Sequence, residues 1–534
     1  MTLTFGTAGM RAPVGPALHQ INVGQVTRIC AAVAVWLAKE AAASPHAHPA
    51  VYPQDSGVSI GSAFNEEAAL RVVVGYDARY GSHVFATTAA EVLAGAGFEV
   101  FLMPTATPTQ FIPWLIKDWE LDGGIQITAS HNPSSDNGIK VYMANGRQLT
   151  TAGAREIETF LRKVEDPVEV PRVPIRPCAD QQRRYVDAIA ALTLPEQADL
   201  LRVNSERANI RIAFTAMHGV GGRTLEAAFE AAGFAQVFPV LSQLHPDPTF
   251  PTVDFPNPEE PEAVAQLLQW GEAIEADVLI ALDPDADRCA VGIRNNDGAL
   301  KMLRGDDTGA LLATRLVPEF TGGAGSDGND ENKPPIVATT QVSSQLLKEI
   351  AKEKGWDYRE TPTGFKNLMN AAGERTVAYA CEEAVGIAPA PHLVDDKDGI
   401  ATAIIICSWA AELKALGITL GDKLDELHRI HGVYTGTQVS TRTNDPQGLI
   451  APWINEPPTQ LAGVPMKATT LPDSRGVLLN GCTPQGEVRV IARSSGTELK
   501  AKVYVEISKA QNREAAEALL EDITEAVQGR MRQL

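Results

Sequence analysis

The sequence lacks paired cysteines. Its six cysteines are spread over 534 residues, and no two of them form a C-x-x-C motif. Neither a zinc ribbon nor a disulfide framework is therefore indicated. This cysteine usage favours a protein that works in a reducing cytoplasm.

Long apolar runs and a signal-like N-terminus are also missing. No uninterrupted apolar stretch reaches the roughly 20 residues that a transmembrane helix needs. The opening segment MTLTFGTAGMR has no basic region followed by an apolar core. We therefore expect a soluble protein that is not exported and has no membrane partner.

Basic residues are in the minority. The chain has 46 lysines and arginines against 66 aspartates and glutamates, which gives a formal charge of -20. This balance disfavours nucleic acid and anionic membrane surfaces as partners of the whole molecule. A negatively charged substrate would have to meet a locally basic cleft.

The composition is that of an ordinary globular protein with several domains. It has 44% hydrophobic and 21% charged residues, which allows sizeable cores to be buried. A single core rarely grows beyond about 250 to 300 residues. No interface pattern distinguishes a monomer from a homodimer.

One pattern occurs three times: a β-rich run, a polar loop, an amphipathic helix, a glycine and a second short apolar run. The copies are RVVVGYDARYGSHVFATTAAEVLAGAGFEVFLM, IRIAFTAMHGVGGRTLEAAFEAAGFAQVFPV and PIVATTQVSSQLLKEIAKEKGWDYRET. Gly97, Gly233 and Gly355 stand where each helix should end. The repeat predicts three tandem, similar α/β domains rather than one large doubly wound sheet.

The pattern changes after about residue 430, where alternating strands are followed by a helix from about Arg513. This change predicts a smaller C-terminal α+β domain. A proline-punctuated connector from Asp166 to Asn209 marks the first boundary. We predict domains at 1–180, 204–303, 304–430 and 431–534, with loops at 41–68 and 320–335.

Three carboxylates follow an apolar strand in DVLIALDPDADRCAVG. On an extended segment, alternation would put Asp283, Asp285 and Asp287 on one side. Oxygen ligands of this kind suit a hard cation such as Mg²⁺. Arg288 and Arg294 stand where an EF-hand needs Gly and Glu, which excludes that motif. A solvated acidic turn is the alternative interpretation.

A serine lies in the polar loop ITASHNPSSDNGIKVY. Ser130 and His131 are neighbours whose side chains should diverge, so His131 is poorly placed as the base of a hydrolase triad. The G-x-S-x-G elbow of a hydrolase is absent as well. Such a serine can carry a phosphoryl group if a metal neutralises the charge. The alternative is a turn with a capping serine.

Three further loops carry charged or polar groups. In RSSGTELK, Arg493 and Lys500 flank backbone N–H groups that could cradle a phosphate. Lys366 in PTGFKNL could meet a phosphate oxygen, and Glu382 and Glu383 in CEEAVG could accept hydrogen bonds from sugar hydroxyls. Taken singly, each loop is equally compatible with a turn or a helix start.

Together these loops resemble the α-D-phosphohexomutase superfamily, which contains phosphoglucomutases and phosphomannomutases. FGTAGMR is similar to the family's N-terminal phosphate-contacting segment, TASHNP with DNGIK to its phosphoserine loop, and DPDADR to its metal loop. TGFK and CEEAVG resemble its sugar-reading loops, and RSSGTE its fourth-domain phosphate loop. The resemblance runs over essentially the whole chain. It implies three α/β domains and a smaller fourth domain around a central cleft.

The resemblance also implies residue roles. Ser130 would carry the phosphoryl group and supply the fourth ligand of a Mg²⁺ ion held by Asp283, Asp285 and Asp287. The residues around the transferring group would be Arg11, His131, Lys140 and Arg288, with Lys140 or His131 as general acid and base. The residues that bind the substrate would be Lys366, Glu382, Glu383, Arg493, Ser495, Gly496, Thr497 and Lys500.

The implied reaction is a reversible isomerisation of sugar phosphates. Phosphoserine would donate to the free hydroxyl of glucose or mannose 1-phosphate, and the resulting bisphosphate would reorient and return its other phosphate to Ser130. Mg²⁺ would be the cofactor and a hexose 1,6-bisphosphate the activator. The alternatives are a phosphopentomutase acting on ribose or deoxyribose phosphates, a sugar-phosphate-binding protein without catalysis, and a metal-dependent phosphatase.

Four positions depart from the family pattern. Ala12 stands where Gly is common, Ala384 where Ser is common, and Ser494 and Leu499 where Pro is frequent. The missing hydroxyl at 384 leaves the hexose selectivity open. In PHLVDDKDG, His392 and Lys397 are further candidate contacts, for which a structural role is the alternative.

Overall fold

Four main β-sheets follow one another along the chain in the computed structural model. The structure describes residues 3–6, 9–43, 69–194, 199–294, 298–321, 333–373, 375–472, 475–495 and 500–533. Most of the two predicted loops, at 41–68 and 320–335, lie outside the described residues. The first three sheets mix parallel and antiparallel pairs, and the fourth is antiparallel throughout.

The first sheet has the strand order β1-β5-β4-β2-β3. Its elements are β1 (Met10–Pro13), α1 (Val23–Ala43), β2 (Arg71–Tyr76), α2 (Ser82–Gly95), β3 (Glu99–Leu102), α3 (Phe111–Asp118), β4 (Gly123–Ile127), β5 (Asp136–Met143) and α4 (Thr151–Leu161). Strands β2 and β4 are buried along nearly their whole length, as expected for parallel strands covered by helices on both faces. The loop after β4 carries Ser130.

Two helices, α5 (Gln182–Ala191) and α6 (Leu200–Ala208), lead to the second sheet, which has the order β10-β9-β8-β6-β7. Its elements are β6 (Ile212–Thr215), α7 (Gly221–Ala231), β7 (Val237–Pro239), α8 (Pro261–Ala273), β8 (Val278–Leu282), β9 (Cys289–Arg294) and β10 (Leu300–Met302). The turn between β8 and β9 carries the three aspartates.

The third sheet has the order β12-β11-β13-β14. Its elements are α9 (Gly305–Leu316), β11 (Ile336–Thr340), α10 (Leu346–Lys354), β12 (Asp357–Thr361), α11 (Phe365–Met369), β13 (Val377–Cys381), β14 (Ile387–Ala388), α12 (Gly399–Ala415) and α13 (Leu420–His431). The turn between β13 and β14 carries the two glutamates of CEEAVG.

The fourth sheet has the order β15-β21-β20-β19-β18. Its elements, together with a separate β16–β17 pair, are β15 (Val433–Arg442), α14 (Pro446–Asn455), β16 (Gln460–Leu461), β17 (Val464–Pro465), β18 (Lys467–Thr470), β19 (Gly476–Thr483), β20 (Gly486–Ser494), β21 (Lys500–Ala510) and α15 (Arg513–Gln533). The RSSGTELK segment lies between β20 and β21.

The predicted repeat is confirmed. Each copy forms a strand, a helix and a parallel neighbouring strand: β2-α2-β3, β6-α7-β7 and β11-α10-β12. Gly97, Gly233 and Gly355 have φ values of 91°, 82° and 70° at the helix ends, a conformation that glycine adopts without steric cost. The smaller α+β unit at the C-terminus is confirmed as well.

None of the described helices is by itself both long and apolar enough to cross a bilayer. Helices α12 and α13 together pass that test by length and composition, but their axes meet at 91°. The side chains of α12 are mostly buried among the other elements.

Candidate active site

Ser130 lies in the loop between β4 and β5 with its side chain buried. Its φ of 52° is left-handed, which is uncommon for a residue with a side chain. Its backbone N–H donates to Thr128 Oγ1 at 2.9 Å. The loop therefore holds Ser130 in one particular backbone conformation.

The Ser130 hydroxyl lies between a carboxylate and an imidazole. Oγ donates to Asp283 Oδ2 at 2.9 Å and lies 3.4 Å from His131 Nδ1. The expectation that the adjacent Ser130 and His131 side chains diverge is wrong, because the left-handed backbone at Ser130 brings them together. The predicted phosphoserine loop and metal loop thus meet directly.

The metal loop is a turn rather than the extended segment that we expected. Strand β8 ends at Leu282, β9 begins at Cys289, and Ala286 between them has a φ of 60°. The ligand atoms of the three aspartates at 283, 285 and 287 lie within 4.8 Å of one another. The carboxylates converge because the chain reverses at Ala286, not because side chains alternate on a strand.

The three carboxylates fit a divalent cation. All three are buried, and Oδ1 of both Asp285 and Asp287 accepts no hydrogen bond from a described donor. Burial, then Asp285 and Asp287, raise the pKa of Asp283. Buried oxygens without donors and mutually repelling carboxylates are what a hard cation with oxygen ligands would relieve.

Lys140 lies against the same carboxylates. Its Nζ is 2.7 Å from Oδ2 of both Asp285 and Asp287. Burial acts to raise the pKa of Asp285, but the Lys140 charge and the hydrogen bonds from Lys140 and Thr109 together outweigh it, and the pKa is lowered. Lys140 is thus paired with two of the three carboxylates of the metal loop.

Arg288 connects the metal loop to two other loops. It donates from Nη1 to His131 Nδ1 at 3.2 Å and from Nη2 to Glu382 Oε1 at 3.4 Å. Because a guanidinium can only donate, His131 Nδ1 accepts and the proton of a neutral His131 lies on Nε2. Burial acts to lower the pKa of Arg288, but Glu382 and neighbouring aspartates raise it.

Glu382 and Lys397 complete the buried charge cluster from the third domain. Burial raises the pKa of Glu382 to about 7, although Arg288 and Lys397 oppose the shift. Lys397 Nζ lies 3.4 Å from Asp287 Oδ2 and 4.8 Å from the centre of the Phe365 ring. Of the two additional candidates, Lys397 therefore lies at this centre, whereas His392 is exposed.

Glu383 faces away from its neighbour. Its Oε2 accepts hydrogen bonds from Thr340 Oγ1 at 2.9 Å and Ser343 Oγ at 3.2 Å. It also lines a cavity of about 510 Å³ bounded by elements of the second, third and fourth sheets. The two predicted sugar-binding glutamates thus have different surroundings, because adjacent residues in a turn point in different directions.

Arg11 is partly buried and Lys366 is buried, and they lie in different places. Arg11, on β1, donates from Nη1 to Asn132 Oδ1 in the serine loop at 2.9 Å, and burial lowers its pKa. Lys366 lies beside Phe5 and Gly9 of the N-terminal segment, and burial lowers its pKa as well. The structure brings Arg11 to the serine loop and Lys366 to the N-terminal segment.

A side chain of the second domain, Phe255, lies between the fourth domain and the serine loop. Lys500 Nζ lies 4.6 Å from the centre of the Phe255 ring, and that ring is 6.0 Å from the ring of His131, edge to face. Arg493 on β20 is buried, and its Nε has no hydrogen-bond acceptor among the described residues. The Ser495 N–H donates to the Lys500 carbonyl at 2.9 Å, and Gly496 and Thr497 lie outside the described residues.

Sequence reasoning missed Arg79. Its buried guanidinium donates to four carbonyl groups of the serine loop, those of Ser130, Asn132, Pro133 and Asp136. The signal was available in the charged residues Asp77 and Arg79, which directly follow the buried strand β2, since the carboxyl ends of neighbouring parallel strands meet at one sheet edge. Arg79 therefore determines the shape of the loop that carries Ser130.

Three stretches of the chain match one protein family. Residues 52–167, 183–297 and 304–429 match the alpha/beta/alpha domains I, II and III of phosphoglucomutase/phosphomannomutase. The chain belongs to the phosphoglucomutase/phosphomannomutase family. Its Ser130 loop lies in the match to domain I, the metal loop in domain II and the CEEAVG turn in domain III.

Individual family members are similar over most of the chain. The probable phosphomannomutase of Haemophilus influenzae is 34% identical over 471 residues, which cover 86% of this chain and 93% of that protein. The phosphopentomutase of Mus musculus is 30% identical over 570 residues, covering 98% and 87%. The crystal structure of a putative phosphomannomutase from Thermus thermophilus superposes with a TM-score of 0.72 at 22% identity, covering 99% and 100%.

Members of the superfamily have been crystallised with ligands. N-acetylphosphoglucosamine mutase from Aspergillus fumigatus was solved with GlcNAc-6P and magnesium, at 15% identity and a TM-score of 0.50 over 99% of this chain and 96% of that one. A second structure of that enzyme contains glucose 1,6-bisphosphate, at 14% identity and a TM-score of 0.52 over 99% and 95%. Magnesium and a sugar bisphosphate thus occur in solved members of this fold.

Proposed function

We propose that the protein is a Mg²⁺-dependent phosphohexomutase that interconverts the 1-phosphate and 6-phosphate of glucose or mannose. One observation supports this most strongly: Ser130 Oγ lies 2.9 Å from Asp283 Oδ2, in a buried cluster that also holds His131 and Arg288. A serine beside a carboxylate triad and several cations is suited to carrying a phosphoryl group. Family membership agrees with this assignment.

In the proposed reaction, phosphorylated Ser130 donates its phosphoryl group to the free hydroxyl of a hexose 1-phosphate. The P–O bond to Ser130 Oγ breaks as a P–O bond to the sugar oxygen forms. The sugar hydroxyl gives its proton to a general base, and Ser130 Oγ takes up a proton to become the free hydroxyl. The bisphosphate reorients, and its other phosphate returns to Ser130. A hexose 1,6-bisphosphate would activate the protein by phosphorylating Ser130.

The surrounding residues would position the phosphoryl group and move the proton. Lys140 Nζ lies 2.7 Å from two carboxylates of the metal loop, which places it where it would bind a phosphate oxygen. His131 Nδ1 lies 3.4 Å from Ser130 Oγ and would exchange a proton with that oxygen when Arg288 turns from Nδ1 to the phosphoryl group. Arg11 and Arg288 would neutralise charge on the transferring group.

Asp283, Asp285 and Asp287 would hold the magnesium ion together with an oxygen of phosphorylated Ser130. Mg²⁺ bound there would neutralise the charge that develops on the phosphoryl oxygens. The carboxylates themselves would keep Arg288 and Lys140 in place, since both are paired with them.

The fourth domain would bind the phosphate that does not react. Arg493 is buried with its Nε free of described acceptors, and Lys500 and Ser495 lie beside it in the same segment; Gly496 and Thr497 would add backbone donors. Glu382 would accept hydrogen bonds from sugar hydroxyls. We assign Glu383 and Lys366 to the same substrate at its other orientation. Glu383 follows Glu382 in the same turn and lines the cavity, and Lys366 lies at the start of α11 beside the N-terminal segment.

We further propose domain boundaries at 1–180, 204–303, 304–430 and 431–534. Each of the four sheets lies within one of these ranges. The stretch from 181 to 203, which these boundaries leave unassigned, contains α5, and all of α5 except Gln182 falls within residues 183–297 matched to domain II. This match favours the second domain for that stretch.

Replacing the serine tests the proposal. We expect Ser130→Ala to reduce mutase turnover by at least about a thousandfold, because the phosphoryl carrier is lost. The assay supplies Mg²⁺ and glucose 1,6-bisphosphate, and intact mass before and after incubation should show one phosphate on the unchanged protein and none on the variant. Ser135→Ala, an exposed serine of the same loop, is the control. Full turnover by Ser130→Ala would refute the mechanism.

A phosphopentomutase is the second candidate, favoured by the 30% identity to the mouse enzyme of that name over 98% of this chain. Ala384, which lacks a hydroxyl beside the sugar-reading glutamates, also leaves room for a different sugar. Coupled assays with glucose, mannose and ribose 1-phosphates, run side by side, would rank the three by kcat/KM. A ribose 1-phosphate value above both hexose values would replace our assignment.

Two non-mutase alternatives give distinct results in the same experiments. A protein that only binds sugar phosphates would be stabilised by them yet never become phosphorylated at Ser130. A phosphatase would release inorganic phosphate without forming the isomeric sugar phosphate.

A further inference from the structure

The loop between β3 and α3 contacts the metal loop from the first domain. Thr109 donates to Asp285 twice, from N–H to the carbonyl oxygen at 2.9 Å and from Oγ1 to Oδ2 at 2.7 Å. The next residue, Gln110, is completely buried and donates from Nε2 to the carbonyl oxygen of Ala286 at 3.0 Å. Two consecutive residues of one domain thus hold two consecutive residues of the metal loop.

The same amide group reaches the third domain. Gln110 Nε2 lies 3.3 Å from Asp398 Oδ1, and Asp398 is the N-cap of α12, accepting the Ala401 N–H at 2.9 Å. The hydroxyl of Tyr185, on α5, lies 2.8 Å from both carboxylate oxygens of Asp398. The amide nitrogen of a glutamine carries two N–H donors. Gln110 can therefore donate to the Ala286 carbonyl in the metal loop and to the Asp398 carboxylate at the start of α12 at the same time.

The hydrogen bond from Gln110 stabilises an unusual backbone conformation at Ala286. A left-handed φ of 60° is rare for a residue with a side chain and persists where the surroundings enforce it. Its N–H donates to the Asp283 carbonyl at 2.9 Å, and its own carbonyl is held by Gln110. The reversal at Ala286 brings the three carboxylates within 4.8 Å of one another.

The start of α12 packs against the other side of this turn. A Cβ atom on Gly399 would lie 2.6 Å from the carbonyl oxygens of both Ala286 and Arg288, so the helix and the turn are in direct contact. Lys397, one residue before the N-cap, lies 3.4 Å from Asp287 Oδ2. The placement of α12 therefore affects both the backbone of the metal loop and a cation beside it.

We propose that Gln110 is a positioning residue of the metal site: its amide connects the left-handed turn of the metal loop to the start of α12. In this way it keeps the three carboxylates at the separation that a divalent cation requires. The inference rests on the proposed Mg²⁺-dependent transfer. Gln110 itself touches neither the cation nor the sugar, and groups that orient metal ligands commonly alter metal affinity by about 10- to 100-fold.

Gln110→Leu tests the inference, because it removes both donors at similar volume. We expect the Mg²⁺ dissociation constant of the full chain, measured from the Mg²⁺-dependent rise in Tm, to increase by about tenfold. The Mg²⁺ concentration for half-maximal mutase activity should rise by the same factor. At saturating Mg²⁺ the KM for the sugar phosphate should stay within about twofold, because the substrate loops are unchanged.

Gln126→Leu is the matched control. Gln126 is also completely buried in the first domain, and its Nε2 also donates to a backbone carbonyl, that of Thr107 at 3.0 Å. That carbonyl belongs to the same domain and not to the metal loop. We expect Gln126→Leu to lower Tm while leaving the Mg²⁺ dissociation constant unchanged.

The outcomes separate positioning from stability. The inference is overturned if Gln110→Leu lowers the Tm but leaves the Mg²⁺ dissociation constant unchanged, or if both variants shift that constant equally.

If Gln110→Leu does not fold, Tyr185→Phe is the variant to test. It removes only the hydroxyl that contacts Asp398 and keeps the ring packed 4.4 Å from the Phe111 ring. An unchanged Mg²⁺ constant in Tyr185→Phe then overturns the inference. Absence of Mg²⁺ stabilisation in the unsubstituted protein would instead refute the proposed function.

Discussion

Arg79 shows how a single side chain can determine the conformation of a loop. Its guanidinium bonds four carbonyl groups in the serine loop and is buried, 5.1 Å from the centre of the Phe250 ring. A planar group with five donors can serve several acceptors at once, which an ammonium on a flexible stem cannot reproduce. The left-handed conformation of Ser130 depends on this arrangement, because the Ser130 carbonyl is one of the four acceptors.

We therefore expect Arg79→Lys to lower kcat for phosphoryl transfer by about 100-fold, a loss of roughly 3 kcal/mol of transition-state stabilisation. Unsatisfied buried carbonyls should also reduce the free energy of unfolding by about 1–3 kcal/mol. Single-turnover transfer from phosphorylated protein, together with denaturant unfolding, would measure both quantities.

Arg207→Lys is the control for this change. Arg207 is likewise buried, lies 5.2 Å from the centre of the Phe234 ring and donates to the carbonyl groups of Thr193 and Ala232, away from the serine loop. It should lose comparable stability and keep its transfer rate. Equal rates in both variants would show that Arg79 acts only on stability.

At the scale of elements, the start of α9 holds a carboxyl group with an unusual pKa. Asp306 lines the cavity between the second, third and fourth sheets and accepts the Ser344 N–H at 2.8 Å. Burial raises the pKa of Asp306 from 3.8 to about 7, although Arg304 opposes the shift. The folded protein should therefore keep this proton over a pH range in which the unfolded chain releases it.

This difference gives a pH dependence with a definite sign. Between about pH 4 and pH 7 the folded state binds more protons than the unfolded state, so the contribution of Asp306 to stability is lost as pH rises through about 7. The slope reaches at most about 1.4 kcal/mol per pH unit for one group. We expect Asp306→Asn, which stays uncharged, to flatten this part of the curve of unfolding free energy against pH.

Glu262→Gln is a suitable reference for the pH series. Glu262 also lies in the first turn of a helix, α8, but is exposed. Its replacement should leave the slope between pH 4 and pH 7 unchanged. A slope that is the same in Asp306→Asn as in the unsubstituted protein would show that Asp306 ionises normally.

The elements themselves could largely be predicted from the sequence, because they depend on local pattern. Periodic apolar residues and terminal glycines located the three strand-helix-strand copies, and alternation located the C-terminal strands. The loops at strand ends were also identifiable, since charged residues there follow apolar runs directly. Ser130 and Asp283 were found in this way and do lie together.

The parts that sequence could not supply depend on contacts between distant segments. Alternation suggested an extended metal loop, whereas packing against the Gln110 side chain and the start of α12 stabilises a turn at Ala286. Glu382 and Glu383 looked equivalent, but the turn sends one towards Arg288 and the other towards Thr340. Such differences arise from tertiary packing, which periodicity does not encode.

On the scale of the whole molecule, the apolar interior is divided unequally. One cluster of buried side chains continues from Val73 in the first domain through the second and third, and it also takes in Tyr434 at the start of the fourth. The fourth domain has a cluster of its own, from Val433 to Met531. Among the described residues, a small cluster that includes Val342 and Tyr504 also lies between the third and fourth domains.

Polar contacts also cross that boundary. Arg489 donates to the carbonyl groups of Gln341 and Ser343, and Arg304 donates to the Tyr434 carbonyl at 3.1 Å. Hydrogen bonds of this kind contribute about 0.5–1.5 kcal/mol each, far less than a shared core. Cooperative unfolding requires shared burial, so the fourth domain should unfold separately from the other three.

Two matched isoleucine substitutions test this division. Ile404 in α12 and Ile523 in α15 are both fully buried helical residues, the first in the cluster shared by three domains and the second in that of the fourth. Each change to alanine should cost about 2–5 kcal/mol. In calorimetry we expect two transitions, with Ile404→Ala lowering the midpoint of one and Ile523→Ala that of the other. A single transition lowered by both variants would mean that the boundary contacts, though mostly polar, couple all four domains into one cooperative unit.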